Sequence, residues 1–230
     1  MRLSLKKLLA VLGILTIAYT NTLGTPPLHV KKEVPASIKK TASVYDSLHL
    51  AGHGLSRQAY DYAVRGFNRL ADKGLLKNDS VITIVDFDQP SYNKRMYILD
   101  IKNYKILFRT WAAHGKNTGR ETANSFSNSP NSHKSSLGFY ITEQTYNGEN
   151  GYSLKLMGME KSNCNAQKRA IVLHGAPYVS QRTIESMGFI GRSHGCPAVP
   201  TELSKPIINT IKNGSCLFIY NKAYLSSLSV

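Results

Sequence analysis

The sequence predicts a mainly β domain with a few flanking α-helices. Three observations point there. Short apolar runs recur from Val81 onward and are broken by Gly, Asn, Ser or Pro, the pattern of short strands. Helical periodicity is confined to a few segments, of which 56–73 is the longest. The composition, 42% hydrophobic and 19% charged over 230 residues, suits one ordinary core and contains no low-complexity tract.

Residues 1–24 read as an export leader. Arg2, Lys6 and Lys7 precede the apolar run Leu8 to Tyr19, after which small and polar residues follow. The run is about 12 residues, short of the roughly 20 that a spanning helix needs, so membrane contact is expected only through the leader if it stays uncleaved. No Cys follows the run, which argues against lipid attachment. The expected location is outside the cytoplasm, in the periplasm or on the cell wall. Residues 25–55, with Pro26, Pro27 and Pro35 among several lysines, read as a tether, leaving 56–230 as the domain.

Ser56 is placed to cap a helix running to Lys73, with Ala59, Ala63, Val64, Phe67 and Leu70 on one side and Gly74 as the stop. Val81–Phe87 is a β-branched run, and Arg95–Ile101 with Lys105–Ala112 form a hairpin turned at Lys102-Asn103-Tyr104. Leu137–Thr142, Tyr152–Met157, Ala170–His174 and Cys216–Tyr220 are further strands, and Val179–Met187 and Leu203–Lys212 are short helices. Gly115 to Ser136 is rich in Ser, Asn and Gly and reads as one long loop; loops of that length inside a domain are usually functional or mobile.

The formal charge is +15, and loss of 1–24 would take three positive and no negative charges, leaving 15 − 3 = +12. Such a surface suits polyanionic surroundings. The basic residues are spread along the chain with no nucleic-acid-binding signature, so no nucleic acid partner is expected. Three cysteines occur, Cys164, Cys196 and Cys216. Either all are reduced, or one pair is bridged, and Cys164 with Cys216 is the pairing that spares Cys196.

Two segments carry chemistry. Ile171-Val172-Leu173-His174-Gly175 puts a His at the end of an apolar strand, and Gly191-Arg192-Ser193-His194-Gly195-Cys196-Pro197 is a glycine-bracketed turn, 196 − 174 = 22 residues later. A free thiol is only a few per cent thiolate at pH 7 and needs a neighbouring base to be an efficient nucleophile. His174 is the expected base and is expected to lower the thiol's pKa; His194, two residues from Cys196, is the competing candidate. Gly195 lets the backbone come close to a substrate and could aim amides at an oxyanion.

The order His174-Gly175, then Ser193-His194-Gly195-Cys196, resembles the active-site signature of YkuD-type L,D-transpeptidases. The flanking text, Ala112-Ala113-His114-Gly115, Ser135-Ser136-Leu137-Gly138-Phe139-Tyr140 and Gly191-Arg192-Ser193 through Val199-Pro200, is similar to the murein L,D-transpeptidase catalytic domain family over roughly residues 56–222. The resemblance implies an antiparallel β sandwich or barrel acting on peptidoglycan stem peptides, without cofactor or metal. It implies Cys196 as nucleophile on the L-to-D amide before the terminal D-Ala of a tetrapeptide stem, giving a thioester. It further implies His174 as base and acid with the Gly175 carbonyl orienting its ring. The Gly195 and Cys196 amides would form the oxyanion hole, and Ser193 and His194 would shape the turn. An amine acceptor on a second stem would make a cross-link; water would make the protein an L,D-carboxypeptidase. Where better-studied members carry an apolar residue and then Arg or Asn after the cysteine, this chain has Pro197-Ala198, and Arg192 is a candidate replacement for that polar contact.

Arg192, Ser193, His114 and Tyr140 are the candidate substrate-binding residues; His114 could equally make a structural hydrogen bond, and Tyr140 and Trp111 could be core aromatics. His133 is expected to be exposed. Two rival readings remain open at this point: a metal hydrolase using His114, His174, His194 and Cys196, and a catalytically inactive wall-binding module on the same scaffold.

Overall fold

The computed structural model describes residues 44–224. The leader and most of the tether lie outside the described residues. Helix α1 (Arg57–Asp72) begins where Ser56 Oγ accepts from the Ala59 amide at 3.1 Å, and its apolar side, including Ala63, Val64 and Phe67, is buried. It lies so close to the sheet that a Cβ on Gly66 would come within 1.9 Å of the Phe139 ring. The folded body starts earlier than expected. Val44, Tyr45, Leu50 and Leu55 are buried in the same core, and the Tyr45 hydroxyl donates to the Leu55 carbonyl at 2.6 Å. Residues 44–55 are therefore part of the domain and not tether, because these apolar side chains, spaced among polar ones, complete the core beneath α1.

The strands are β1 (Val81–Asp86), β2 (Met96–Asp100), β3 (Lys105–Thr110), β4 (Gly138–Gly148), β5 (Gly151–Gly158), β6 (Val172–Gly175), β7 (Ala198–Val199) and β8 (Cys216–Tyr220). Helices α2 (Gln181–Met187) and α3 (Thr201–Ile211) flank β7 in the chain. The strands form one sheet in the order β3-β2-β1-β8-β4-β5-β6-β7, with β1–β8 and β6–β7 parallel and the remaining neighbours antiparallel. The predicted hairpin between β2 and β3 is closed by Asp100, whose Oδ1 accepts from the amides of Lys102 and Asn103 at 3.1 and 2.9 Å.

The two ends of this sheet come together. Just beyond β3, the Ala113 amide donates to the Ala198 carbonyl of β7 at 2.8 Å, and Ser193 N–H donates to the His114 carbonyl at 2.9 Å. The sheet is thus a nearly closed barrel with few helices. Closure matters for the site, because it brings the segment after β3, the strand β6 and the cysteine turn to one rim.

Candidate active site

Strand β6 positions the first group. His174 is paired with Ala198 across the parallel β6–β7 register, which sets Cys196 two residues before its partner. Its Nδ1 lies 2.9 Å from the Gly175 carbonyl oxygen, which can only accept, so Nδ1 carries the proton and Nε2 is left with its lone pair. Gly175 has no room for a side chain: a Cβ there would lie 2.7 Å from Ser204 Oγ of α3. Burial holds the His174 pKa below its ordinary value, opposed by the bond to Gly175, so the ring is neutral.

The cysteine turn is held from within. Ser193 Oγ donates to the Cys196 carbonyl at 2.6 Å and accepts from the Gly195 amide at 3.0 Å. Two expectations are corrected by this. Ser193 is buried with its hydroxyl engaged inside the turn, so it shapes the turn and does not offer itself to a substrate. The Gly195 amide is likewise engaged, by Ser193 Oγ, and is not free to face an oxyanion. Gly195 has φ of 126°, and a Cβ there would press on the Lys134 carbonyl at 2.8 Å and on Arg169 Nη2 at 3.1 Å.

Cys196 is half-buried and its thiol faces the backbone at the start of β6, donating to the Ala170 carbonyl at 3.7 Å. Burial raises its pKa, while the Val172 amide and the Arg169 guanidinium favour the thiolate. The positive charge that favours the thiolate is Arg169, a residue the sequence reading did not name. His174 thus stands on β6 and Cys196 just before the neighbouring β7, with the thiol's own contact the Ala170 carbonyl. Proton transfer would belong to the reaction step.

Sequence reasoning missed Arg169. Its Nη1 donates to the Ser127 carbonyl at 2.9 Å and Ser136 Oγ at 3.1 Å, and its Nη2 to Ser132 Oγ at 3.3 Å and the Lys134 carbonyl. It clasps the long loop against the cysteine turn. A signal was available: Arg169, with Lys168 before it, stands directly at the head of the apolar run Ala170 to Leu173, five residues before His174. Replacing Arg169 by Met is expected to raise the Cys196 pKa, read as a shift to higher pH in the iodoacetamide alkylation profile. Arg169→Lys should keep the profile near wild type while hydrogen exchange in 127–136 quickens. An unmoved profile in Arg169→Met would show that the guanidinium only braces the loop.

The remaining candidates separate. His114 is completely buried and does not line the cleft. Its Nδ1 accepts from Arg95 Nη2 at 2.7 Å and its Nε2 faces the Gly119 carbonyl at 3.2 Å. Burial beside that cation pulls its pKa down to about 3. Tyr140 is also fully buried, its hydroxyl donating to the Ser136 carbonyl at 2.9 Å. Neither can touch a substrate, because the closing segment and the sheet cover them. His114 is equally unable to join a metal set with Cys196, and among the described residues no group of three His, Cys, Asp or Glu side chains is arranged to hold a metal. Arg192 is exposed, with Nη1 3.3 Å from the Gly119 carbonyl and its guanidinium 5.8 Å from the Phe189 ring centre. His194 is exposed and stacks on His133 at 4.4 Å between ring centres, so His133 is half-buried and not the exposed loop residue expected. Cys164 is exposed and Cys216 fully buried in β8, and neither is bridged. The proposed pairing fails because Cys216 points into the core.

The fold thus brings a histidine at the end of a buried strand and a cysteine in a glycine turn to one rim of a nearly closed β barrel. Residues 51–220 match the model of the L,D-transpeptidase catalytic domain, YkuD type, and the chain belongs to that family. No curated protein sequence gives a significant match. Among solved structures, the chain is similar to an L,D-transpeptidase from Mycobacterium smegmatis, with 12% identity and a TM-score of 0.39 over 62% of this chain and 59% of that one. It is also similar to the helical cell shape determining protein Pgp2 from Campylobacter jejuni, with 14% identity and a TM-score of 0.40 over 70% of this chain and 58% of that one. The chain thus matches about three-fifths of the length of these structures.

Proposed function

We propose that this protein is an exported peptidoglycan L,D-transpeptidase that works through a thioester on Cys196. The observation that carries the reading is the half-buried Cys196 thiol, held by a glycine turn against β6 in a chain of this family. In the proposed reaction Sγ attacks the carbonyl of the L-to-D amide of a tetrapeptide stem. His174 Nε2 takes the thiol proton and returns it to the departing D-Ala amine, and the Cys196 amide faces the developing oxyanion. An amine of a second stem then displaces the thiol and forms the cross-link. The family membership and the tautomer of His174 support these roles.

Intact-mass spectrometry of the protein mixed with a disaccharide-tetrapeptide tests the reading. The expected species is the protein plus the tripeptide-bearing fragment, with release of D-Ala, and Cys196→Ala should carry no adduct. An adduct that survives in Cys196→Ala, or its absence from the wild type, would overturn the assignment.

A further inference from the structure

We propose that Arg120 and Arg192, gathered on the Phe189 ring beside Lys116, form a binding site for a phosphate group on the rim of the barrel. The site lies outside the thiol chemistry and does not rest on the transpeptidase reading. Phe189 follows α2 and is buried. The guanidinium carbon of Arg120 lies 5.1 Å from its ring centre, and that of Arg192 lies 5.8 Å from it. Two exposed like charges repel and would ordinarily turn apart into water. Sharing one aromatic ring keeps them together.

Arg192 is fixed further. Its Nη1 donates to the Lys116 and Gly119 carbonyls at 3.4 and 3.3 Å, so Nε and Nη2 keep their donors for another group. The Arg120 guanidinium has Phe189 as its contact among the described residues, and Lys116 is exposed. The ion pairs of the described residues are Arg57–Asp46, Arg69–Glu160 and Lys102–Asp79, so these three cations have no carboxylate partner. Planar guanidinium forks with free N–H groups match the oxygens of an anion. A carboxylate has oxygens for one fork, whereas a phosphate can meet two forks at once.

The position ties the site to the closure of the barrel. Lys116 and Arg120 belong to the segment after β3, and Arg192 belongs to the cysteine turn. Across this seam the Lys116 amide donates to the Ser193 carbonyl at 2.8 Å. A phosphate held from both sides adds a further tie across the seam, so its binding stabilises the fold. Lipid headgroups and soluble phosphate esters both offer such a group, and the experiment separates the two sources.

Isothermal titration and thermal unfolding of the full chain with inorganic pyrophosphate at low salt test the site. The wild type is expected to bind, and its Tm to rise with pyrophosphate concentration. Arg120→Gln and Arg192→Gln should each weaken binding about tenfold, through loss of one charge-assisted contact. Lys205→Gln, which removes an equal charge from the exposed side of α3, should leave the affinity unchanged. No binding by the wild type, or an equal loss in Lys205→Gln, would show only a diffuse positive surface and overturn the site. Co-sedimentation with phosphatidylglycerol vesicles then reads the source. Pelleting of the wild type that is lost in the Arg120→Gln/Arg192→Gln double variant assigns a lipid phosphate. Equal pelleting of the two proteins, with pyrophosphate binding lost in the double variant, assigns a soluble phosphate ester. Pyrophosphate binding that survives in the double variant would overturn the site.

Discussion

His174→Ala is expected to slow acylation of Cys196 by about 10²–10⁴-fold while leaving the thiol's titration close to that of the wild type. The two halves of this expectation have different origins. The neutral ring, held by its Nδ1–H bond to Gly175, offers Nε2 as a base at the moment of attack, and its loss removes that base. The thiol's pKa in the resting protein is set by burial against Val172 N–H and Arg169, and none of these changes in the variant. Stopped-flow acylation by a carbapenem and the pH profile of iodoacetamide alkylation separate the halves. His194→Ala serves as the contrast: its exposed ring stacks on His133, so a modest effect on acylation is expected. A His174→Ala protein that acylates at the wild-type rate would place the base elsewhere.

The largest expected loss of stability comes from Arg95→Met. Arg95 is fully buried, and it donates to the Ala112 carbonyl through Nε at 3.0 Å and to the Gln89 carbonyl through Nη1 at 2.8 Å, besides its bond to His114. Burial pulls its pKa down to about 9, opposed by Asp86. Met fills much of the volume but leaves the buried Ala112 carbonyl and His114 Nδ1 and the half-buried Gln89 carbonyl without donors, at about 1–3 kcal/mol for each buried group, so a total of about 3–5 kcal/mol and a fall in Tm of about 10 °C are expected by calorimetry. A fall of only a degree or two would mean that water replaces the guanidinium. The same cluster predicts acid sensitivity. The folded-state pKa of His114 lies near 3, below the 6.5 of an exposed ring, so the unfolded chain binds the extra proton in between. Stability is complete above about pH 6.5 and is lost as pH falls toward 3. His114→Gln, which can accept from Arg95 and donate to Gly119, should flatten that slope.

Much of this architecture was legible in the sequence where local signals and burial agree. β1 and β8 are apolar runs buried along their whole length, and α1 has both its serine cap and its apolar face. The second half of β4 was not legible, because Glu143 to Gly148 is polar and partly exposed, so strand-like alternation is lost at a bulge in the pairing with β5. β7 has two residues and exists only because β6 lies beside it. The site divides similarly. His174 and Cys196 stand in glycine-marked motifs, whereas His114-Gly115 has the same local text as His174-Gly175 and a different fate. What separates them is Arg95, 19 residues away in sequence, and no local pattern reports that contact. Arg169 escaped notice because its partners lie 33 to 42 residues upstream.

Strand β8 sits between β1 and β4 although it is the last strand of the domain to be synthesised. Until residues 216–220 are present, β1–β3 and β4–β7 are two ribbons whose inner edges have no partner, and each presents unpaired amides and carbonyls. The barrel therefore cannot mature progressively from its N-terminal end; assembly waits for a late, long-range insertion of the kind that folds slowly. A chain stopped just before Cys216 would lack only one strand of this sheet, yet the loss would act as a cut through its middle.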